Sequence, residues 1–449
     1  MQPETRQIVN WGMYPSTRAR VWEPGDEQNV LEVAQQMQRG IARGNGRCYG
    51  DSANADAVFS TLALDKLLAF NPDTGLLVAQ AGVLLADVLE VFLPRGWFLP
   101  VTPGTKFITL GGAIAADVHG KNHHLEGTFY NHTEWLDLLL GDGSIRRCSR
   151  QENSELFEAT FGAMGLTGVV IRAAFRLKPV ESAWIRFESE RATNLDAILD
   201  AFERSAHWTY SMAWIDCLAK GKQLGRSILM RGEHATAQEM QAARPGQNPL
   251  IVPAKLKLNI PFPFPGFVLN PLTIRAFNWQ MYHRHPTGLR KRWLDYDSFF
   301  YPLDAIHHWN RMYGKRGFTQ YQFVLPRASS REGLQDILTT IAQSGQGSFL
   351  AVLKLFGPGR GWLSFPQEGY TLALDFPLKP ALFPLLNKLD ERVAHYGGRL
   401  YLAKDVRMPR QMLESGYPEL SKFKQLLTTL PTSATHWQSH QAQRLGLVV

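Results

Sequence analysis

The 449-residue chain is 45% apolar and 20% charged, which excludes a disordered protein and supplies apolar surface for two stable domains. Its formal charge of +8 implies an anionic partner: nucleic acid, an acidic membrane surface or a phosphorylated substrate. No nucleic-acid reader motif singles out the first. Three cysteines, Cys48, Cys148 and Cys217, have neither CxxC nor zinc spacing, so reduced thiols are expected.

Apolar residues at Val30, Val33, Ala34 and Met37 predict a helix over 27–39, stopped by Gly40 and followed by a strand that enters a glycine-rich turn. Strands are expected over 59–64 and 76–81, a helix over 85–93, and strands over 135–140 and 145–148 joined by the hairpin turn Gly141-Asp-Gly-Ser. Ser154 is the expected N-cap of a helix over 155–161, and 166–177 returns as an apolar strand. From about residue 183 strands over 209–215, 320–325, 349–356 and 370–376 alternate with helices over 195–205, 331–344 and 381–396. That order predicts a sheet layered with helices, an α+β arrangement.

Two stretches carry chemistry. In Arg43-Gly-Asn-Gly-Arg-Cys-Tyr-Gly-Asp-Ser-Ala53, Gly44, Gly46 and Gly50 permit positive φ and close approach of N–H groups to a ligand, while Arg43 and Arg47 add charge. This composition suits a diphosphate. The second stretch is Pro103-Gly-Thr-Lys-Phe-Ile-Thr-Leu-Gly-Gly-Ala-Ile-Ala-Ala-Asp-Val-His-Gly-Lys-Asn-His-His124. Its small residues from Gly111 to Ala116 let a planar ring lie close to the backbone, and His119, Lys121 and Asn122 offer donors at the ring's edge. His119, His123 and His124 lack the helical spacing and carboxylate partner of familiar metal sites, so no metal is expected. No Gly-x-Ser-x-Gly elbow supports a hydrolase.

Taken in order with Gly165-Leu-Thr-Gly-Val-Val, these motifs resemble the vanillyl-alcohol-oxidase superfamily of flavoproteins, with its PCMH-type FAD-binding domain. Trp214, Gln320-Tyr-Gln-Phe, Lys354-Leu-Phe-Gly, Leu363-Ser-Phe-Pro, Asp375-Phe-Pro and Gly398-Arg-Leu-Tyr-Leu-Ala-Lys-Asp405 are similar to one branch of it, the decaprenylphosphoryl-β-D-ribose 2-oxidases. The resemblance implies a two-domain α+β fold: an FAD-binding domain over 1–182, a substrate domain of antiparallel sheet and helices over 183–398, and a return to the first domain over 399–449. It implies FAD held by Arg43, Gly44, Asn45, Gly46, Arg47, Cys48, Tyr49, Pro103, Gly104, Thr105, Gly111, Gly112, Ala113, Ala116, His119, Gly120, Asn122, Gly165, Gly168 and Val170.

It further implies oxidation of the 2-hydroxyl of a polyprenyl-phosphoryl ribose to a keto sugar, which a separate NAD(P)H-dependent reductase returns as the arabinose epimer for cell-envelope glycans. Lys404 matches the family's active-site lysine, with pairing to Asp405 as the alternative, and His119 contacts the flavin and orients substrate. Tyr49, Lys121, Trp214, Gln320, Gln322, Lys354 and Phe356 match substrate positions. Arg47 stands where members with covalent FAD carry histidine, which implies noncovalent binding. Ala373 replaces a cysteine, and Phe300 with Tyr301 replaces a Tyr-His pair. A lactone or sugar-alcohol oxidase of the same superfamily is the alternative activity.

The start, Met1-Gln-Pro-Glu-Thr-Arg, has no apolar signal core, and no transmembrane helix is expected, so a peripheral position on the cytoplasmic or periplasmic face of a membrane is inferred. Residues 258–274 are uncharged, but Pro261, Pro263, Pro265 and Pro271 argue against a regular helix, and the run is shorter than the roughly 20 residues of a span. With the basic cluster Arg284-His-Pro-Thr-Gly-Leu-Arg-Lys-Arg292 it reads as a lid resting on anionic lipid, or as a loop packed on its own domain.

Overall fold

A computed structural model describes residues 1–431 and 436–448. The chain begins with a five-stranded sheet in the order Glu4–Val9, Ser16–Trp22, Ala57–Ser60, Arg39–Arg43, His436–Trp437. The first pair is antiparallel and the others parallel. Helix Glu27–Gln36 crosses between strands and buries Val30, Val33 and Ala34 against Trp22 and Phe59. It ends sooner than expected because Met37 is already extended. Gly40 lies within the next strand, where a Cβ would sit 2.6 Å from the Ala57 carbonyl oxygen, so it serves strand contact and not helix termination.

A second five-stranded sheet, Leu67–Asn71, Leu76–Gln80, Val169–Arg176, Thr133–Leu139, Ile145–Ser149, is antiparallel throughout. Helix Leu110–Ala115 packs on it through Leu110, Ala113 and Ile114. Ser154 is not an N-cap: it is the first residue of helix Ser154–Thr160, and Asn153 precedes it at φ +48°, a conformation asparagine adopts more readily than serine.

The largest sheet has eight strands: Arg290–Asp295, Trp184–Ala192, Ser227–His234, Tyr210–Ile215, Ala351–Phe356, Gly369–Pro377, Phe318–Pro326, Arg399–Leu400. Side chains alternate across a strand, so each strand splits into two sets. Tyr321, Phe323, Leu353, Leu355, Leu372, Leu374 and Phe376 join the core under helices Leu195–Arg204, Arg327–Ser344 and Leu382–His395. On the opposite face the register aligns Trp214 with Val352, Val352 with Ala373, Lys354 with Thr371, Gln322 with Ala373 and Gln320 with Asp375. Trp184–Ala192, Ser227–His234 and Arg290–Asp295 were not anticipated because their charges hide the alternation. Cross-strand pairs hold them instead: Arg231 with Glu188 and Glu190, and Lys291 with Glu188.

The 258–292 region differs from the expected loop in two ways. Pro271 opens a 14-residue helix, Pro271–Arg284, capped by the Asn270 side chain. Proline fits that first position because its missing N–H has no intrahelical acceptor there. Arg290–Asp295 is an edge strand of the large sheet. Ile274, Asn278 and Tyr282 form the helix's buried stripe, and Asn278 Nδ2 donates to Asp216 Oδ1 at 2.9 Å. Among the described residues no helix is long and apolar enough to cross a membrane. The three cysteines are free.

Candidate functional site

The glycine-rich stretches meet at a cavity lined by Ala42, Arg43, Gly44, Thr61, Gly111, Gly112, Ala115, Thr160, Met164, Gly165, Gly168 and Val170. Seven of these twelve residues are glycine or alanine, several at positions that tolerate little else. Gly165 has φ +84°, and a Cβ on Gly168 would lie 2.5 Å from the Leu139 carbonyl oxygen. A Cβ on Gly44 would lie 2.2 Å from Thr109 Oγ1. The remaining residues of the first loop are bonded to protein. Arg43 reaches Asn10, donates to Ala53 O at 3.2 Å and Val9 O at 2.8 Å, so its charge is committed locally and not to an anion. Arg47 lies over the Trp11 ring at 4.2 Å, and Asn45 Nδ2 donates to Phe107 O at 2.8 Å. Cys48 O accepts from Trp11 N at 2.9 Å.

In the second stretch, Pro103 and Gly104 lead into Thr105, whose hydroxyl donates to Asp304 at 2.8 Å, and nothing lies within 4 Å of a Cβ built on Gly104. Asn122 Nδ2 donates to Pro100 O at 2.8 Å, and Gly120 packs where a Cβ would meet Asn122 and Thr102. Ala116 O accepts from the Tyr401 hydroxyl at 2.8 Å, which joins this stretch to the segment carrying Lys404.

Lys404 ends a short 3-10 turn, Leu402–Lys404, and the first glycine loop packs directly on it. Tyr49 N donates to Ala403 O at 3.0 Å, a Cβ on Gly50 would overlap the Asp405 carbonyl, and Lys404 Nζ lies 3.9 Å from the Tyr49 ring centroid. The alternative pairing with Asp405 does not occur. Asp405 Oδ2 accepts from Arg444 Nη2 at 2.7 Å and Gln441 Nε2 at 3.1 Å, while Oδ1 accepts from Arg407 N and Met408 N. Burial lowers the Lys404 amine to about 8, and no carboxylate is in ion-pair contact with it among the described residues.

His119 is buried beside Phe356, Tyr401 and Phe365, at ring separations of 4.7, 5.2 and 5.7 Å. Its protonation follows from its neighbours. Thr371 Oγ1 donates to Phe323 O at 2.8 Å, so it accepts from Gln322 Nε2 at 3.3 Å. That amide nitrogen gives its other hydrogen to His119 Nε2 at 3.2 Å. The neutral ring therefore carries its proton on Nδ1, which is buried and has no hydrogen-bond partner among the described residues. Burial, with Lys354, His123 and Lys404 nearby, holds this imidazole well below its ordinary range.

His123 Nδ1 accepts from Gly357 N at 3.2 Å, which leaves Nε2–H buried and without a partner among the described residues, and burial lowers its ring to about 3. His124 Nε2 pairs with Trp208 O at 3.0 Å. The three histidines thus answer to different partners, and among the described residues no cluster of metal-ligating side chains is found.

Lys354, on the same strand as Phe356, is lowered to about 8 by burial alone. Lys121, expected among the substrate positions, is instead committed to protein: its amine is held by the carbonyls of Phe299 and Phe300, the latter at 3.3 Å. Trp214 Nε1 donates to Phe349 O at 3.0 Å and packs with Ile228 and Tyr282. Gln320 Nε2 donates to Asp375 Oδ1 at 2.6 Å. Phe300 is buried against Phe98, Tyr210 and His234, and the Tyr301 hydroxyl bonds Thr102 Oγ1 at 2.6 Å.

Asp375 carries no role in the sequence motif Asp375-Phe-Pro. It is 1% exposed, and burial raises it to about 7. Its strand alternation with Thr371 and Ala373 was the available signal. Small-residue walls, an orphaned imidazole N–H and two buried amines suit a large planar cofactor with polar edges, so the residues present fit FAD.

Comparison with known proteins agrees. Residues 19–149 match the family model described as FAD binding domain. The chain is 36% identical to decaprenylphosphoryl-beta-D-ribose oxidase of Mycolicibacterium smegmatis over 99% of this chain and 98% of that protein. It is 35% identical to an uncharacterized protein in the mprA 5'region of Streptomyces coelicolor, over 81% of this chain and all of that protein. It is 33% identical to mouse (Mus musculus) delta(24)-sterol reductase over 28% of this chain and 24% of that protein. The protein is an FAD-dependent oxidoreductase with an α+β fold, and the chain belongs to the decaprenylphosphoryl-beta-D-ribose oxidase family.

Proposed function

We propose that this enzyme oxidises the 2-hydroxyl of a polyprenyl-phosphoryl-β-D-ribose to the 2-keto sugar, the first half of an epimerisation completed by a separate NAD(P)H-dependent reductase. Bound FAD supplies the hydride acceptor for such a secondary alcohol. The observation that carries the reading is the pair of buried amines: Lys354 on a sheet face that also holds Gln320 and Gln322, and Lys404 on the 3-10 turn that lines one pocket with those glutamines. Two desolvated amines without ion-pair partners among the described residues suit a substrate that brings an anion and a labile hydroxyl proton.

In this reading Lys404, lowered into the range where it holds a lone pair, accepts the hydroxyl proton, and Lys354 meets the phosphate. His119, donating through Nδ1, orients cofactor and sugar, Phe356 walls the sugar site, and Trp214 flanks it. Noncovalent FAD is supported by Arg47, which is occupied by stacking on Trp11 and offers no imidazole. The division into an FAD-binding part over 1–182 and 399–449 and a substrate part over 183–398 draws support from His436–Trp437 pairing with Arg39 and Gly40.

The lipid and its membrane are matched by one surface. Leu256, Phe262, Phe267, Leu272 and Trp279 are exposed, Leu256 to 92%, on and before helix Pro271–Arg284, with Lys257, Arg275 and Arg284 among them. Exposed apolar side chains with interspersed cations fit shallow, salt-sensitive attachment to anionic lipid, each cation contributing roughly 1 kcal/mol. Anaerobic mixing with polyprenyl-phosphoryl ribose is expected to bleach the flavin, and aldonolactones are not. Bleaching by lactones alone would assign the enzyme to soluble sugars. Flotation with anionic liposomes is expected to fall with salt and to be lost in Leu272→Asp/Trp279→Asp.

A further inference from the structure

Lys404 lacks the neighbour that its sequence suggests, since Asp405 is engaged by Arg444. Gln320, which bonds Asp375, lines one pocket together with Lys404, and a set of ring contacts also leads from the lysine to that carboxylate. Lys404 stands over Tyr49, Tyr49 meets Phe318 edge-on at 5.2 Å, and Phe318 stacks on Tyr313 at 4.1 Å with the planes 6° apart. Tyr313 donates its hydroxyl to Asp375 Oδ2 at 3.3 Å, while Gln320 Nε2 donates to Oδ1 at 2.6 Å. Asp375 is thus fixed at both oxygens by neutral donors and, among the described residues, has no ion-pair partner. A carboxylate held this way has its charge left to act on something nearby. Of the charges acting on Lys404, Asp375 is the strongest and favours the ammonium, with Lys354 opposing it and Cys48 a smaller contributor. The titratable groups facing Asp375 are Tyr313, Tyr49 and Lys404 itself.

We propose that Asp375 is a positioning residue for Lys404, held by Gln320 and Tyr313 so that its carboxylate supports the ammonium formed when Lys404 takes the substrate's hydroxyl proton. The inference rests on the reading of Lys404 as the base. In the step, the substrate O–H bond breaks and an Nζ–H bond forms; Asp375, ionised above pH about 7, gains no proton. The sign of the pH effect follows. The proton-accepting form of Lys404 grows as pH rises through about 8. Removing the Asp375 charge withdraws support from the ammonium, so that midpoint moves to lower pH. A carboxylate that only tied its strand to Gln320 and Tyr313 would change stability and overall rate without moving the midpoint.

The test compares wild type, Asp375→Asn and Tyr313→Phe as FAD-loaded enzymes. One readout is the anaerobic flavin-reduction rate across pH values on both sides of 8. The other, taken without substrate, is the pH dependence of Lys404 acetylation by acetic anhydride, followed by peptide mass spectrometry. Asp375→Asn is expected to lower both midpoints by about one pH unit, the lower end of the effect of an adjacent opposite charge. Tyr313→Phe, which leaves the carboxylate in place but less stabilised, is expected to lower them by a smaller amount and serves if Asp375→Asn does not fold. Unchanged midpoints in every folded variant overturn the proposal. Lys404→Ala separates the two readings: if it retains normal flavin reduction, the base assignment fails, whereas if it is inactive and the midpoints are unmoved, only the role of Asp375 fails.

Discussion

The cavity walled by Gly44, Gly111, Gly112, Gly165 and Gly168 and the sheet face carrying Lys354, Gln322 and Asp375 solve opposite problems. Around the cavity, polar groups are already satisfied by protein. Leu110 N and Gly111 N donate to Val83 O and Ala81 O at 2.8 Å each, Gly112 N donates to Thr109 Oγ1, and Arg43 is spent on carbonyls. Recognition there is a matter of shape. Beside the sheet face the reverse holds: among the described residues His119 Nδ1–H and His123 Nε2–H are buried without partners, and Lys354 and Lys404 are buried without counter-ions in contact. Unmet donors in a low-dielectric setting are costly unless a ligand completes them. The difference teaches that the first region suits a large group held by shape, whereas the second leaves donors and amines for the cofactor's edge and, in the reading proposed above, the substrate to complete.

That contrast can be broken in three ways. The largest effect is expected from Lys404→Ala. It should retain FAD yet lose flavin reduction by substrate about 10²–10⁴-fold, the usual contribution of a positioned base, as read by stopped-flow absorbance. Loss of FAD instead would mean that the lysine belongs to the cofactor's holding structure and that the two regions are not separable.

Lys354→Met comes next. A charged hydrogen bond is worth roughly 1.5–3 kcal/mol, so KM for the phosphorylated sugar is expected to rise about 10- to 100-fold with kcat little changed. An unchanged KM in steady-state assays would remove the phosphate from this amine. The same substitution removes a cation that lowers His119, His123 and Lys404, so the Lys404 midpoint should move upward from about 8.

The smallest effect is expected in the cavity wall. Gly165→Ala meets no atom closer than 3.5 Å, so its cost is the left-handed φ of +84° alone, about 1–2 kcal/mol. It should lower the thermal midpoint and loosen FAD modestly, measured by fluorescence of released flavin, while leaving the KM for substrate alone. A KM effect as large as that of Lys354→Met would show that the cavity wall also shapes the sugar site.

Much of this was legible in the chain. Glycine spacing pointed to the cavity because positive φ and missing Cβ atoms are properties of single residues. The period-2 pattern of Gln320-Tyr-Gln-Phe separated the site face from the core face for the same local reason. The helix at Pro271–Arg284 was obscured because the prolines before it dominate the local pattern, although Pro271 itself is well suited to a first helical turn.

By itself, then, the sequence determined the cofactor motifs, the alternation of strands and the identity of the lysines and histidines, all of which depend on residues close together in the chain. Only the tertiary structure decided which groups are satisfied. Arg444 takes Asp405 from a distance of 39 residues, Lys121 is claimed by carbonyls 178 and 179 residues away, and the His119 tautomer is set through Gln322 and Thr371. Burial and hydrogen-bond partners depend on how distant strands are brought into register, and they convert ordinary side chains into an amine near 8 and a carboxylate near 7.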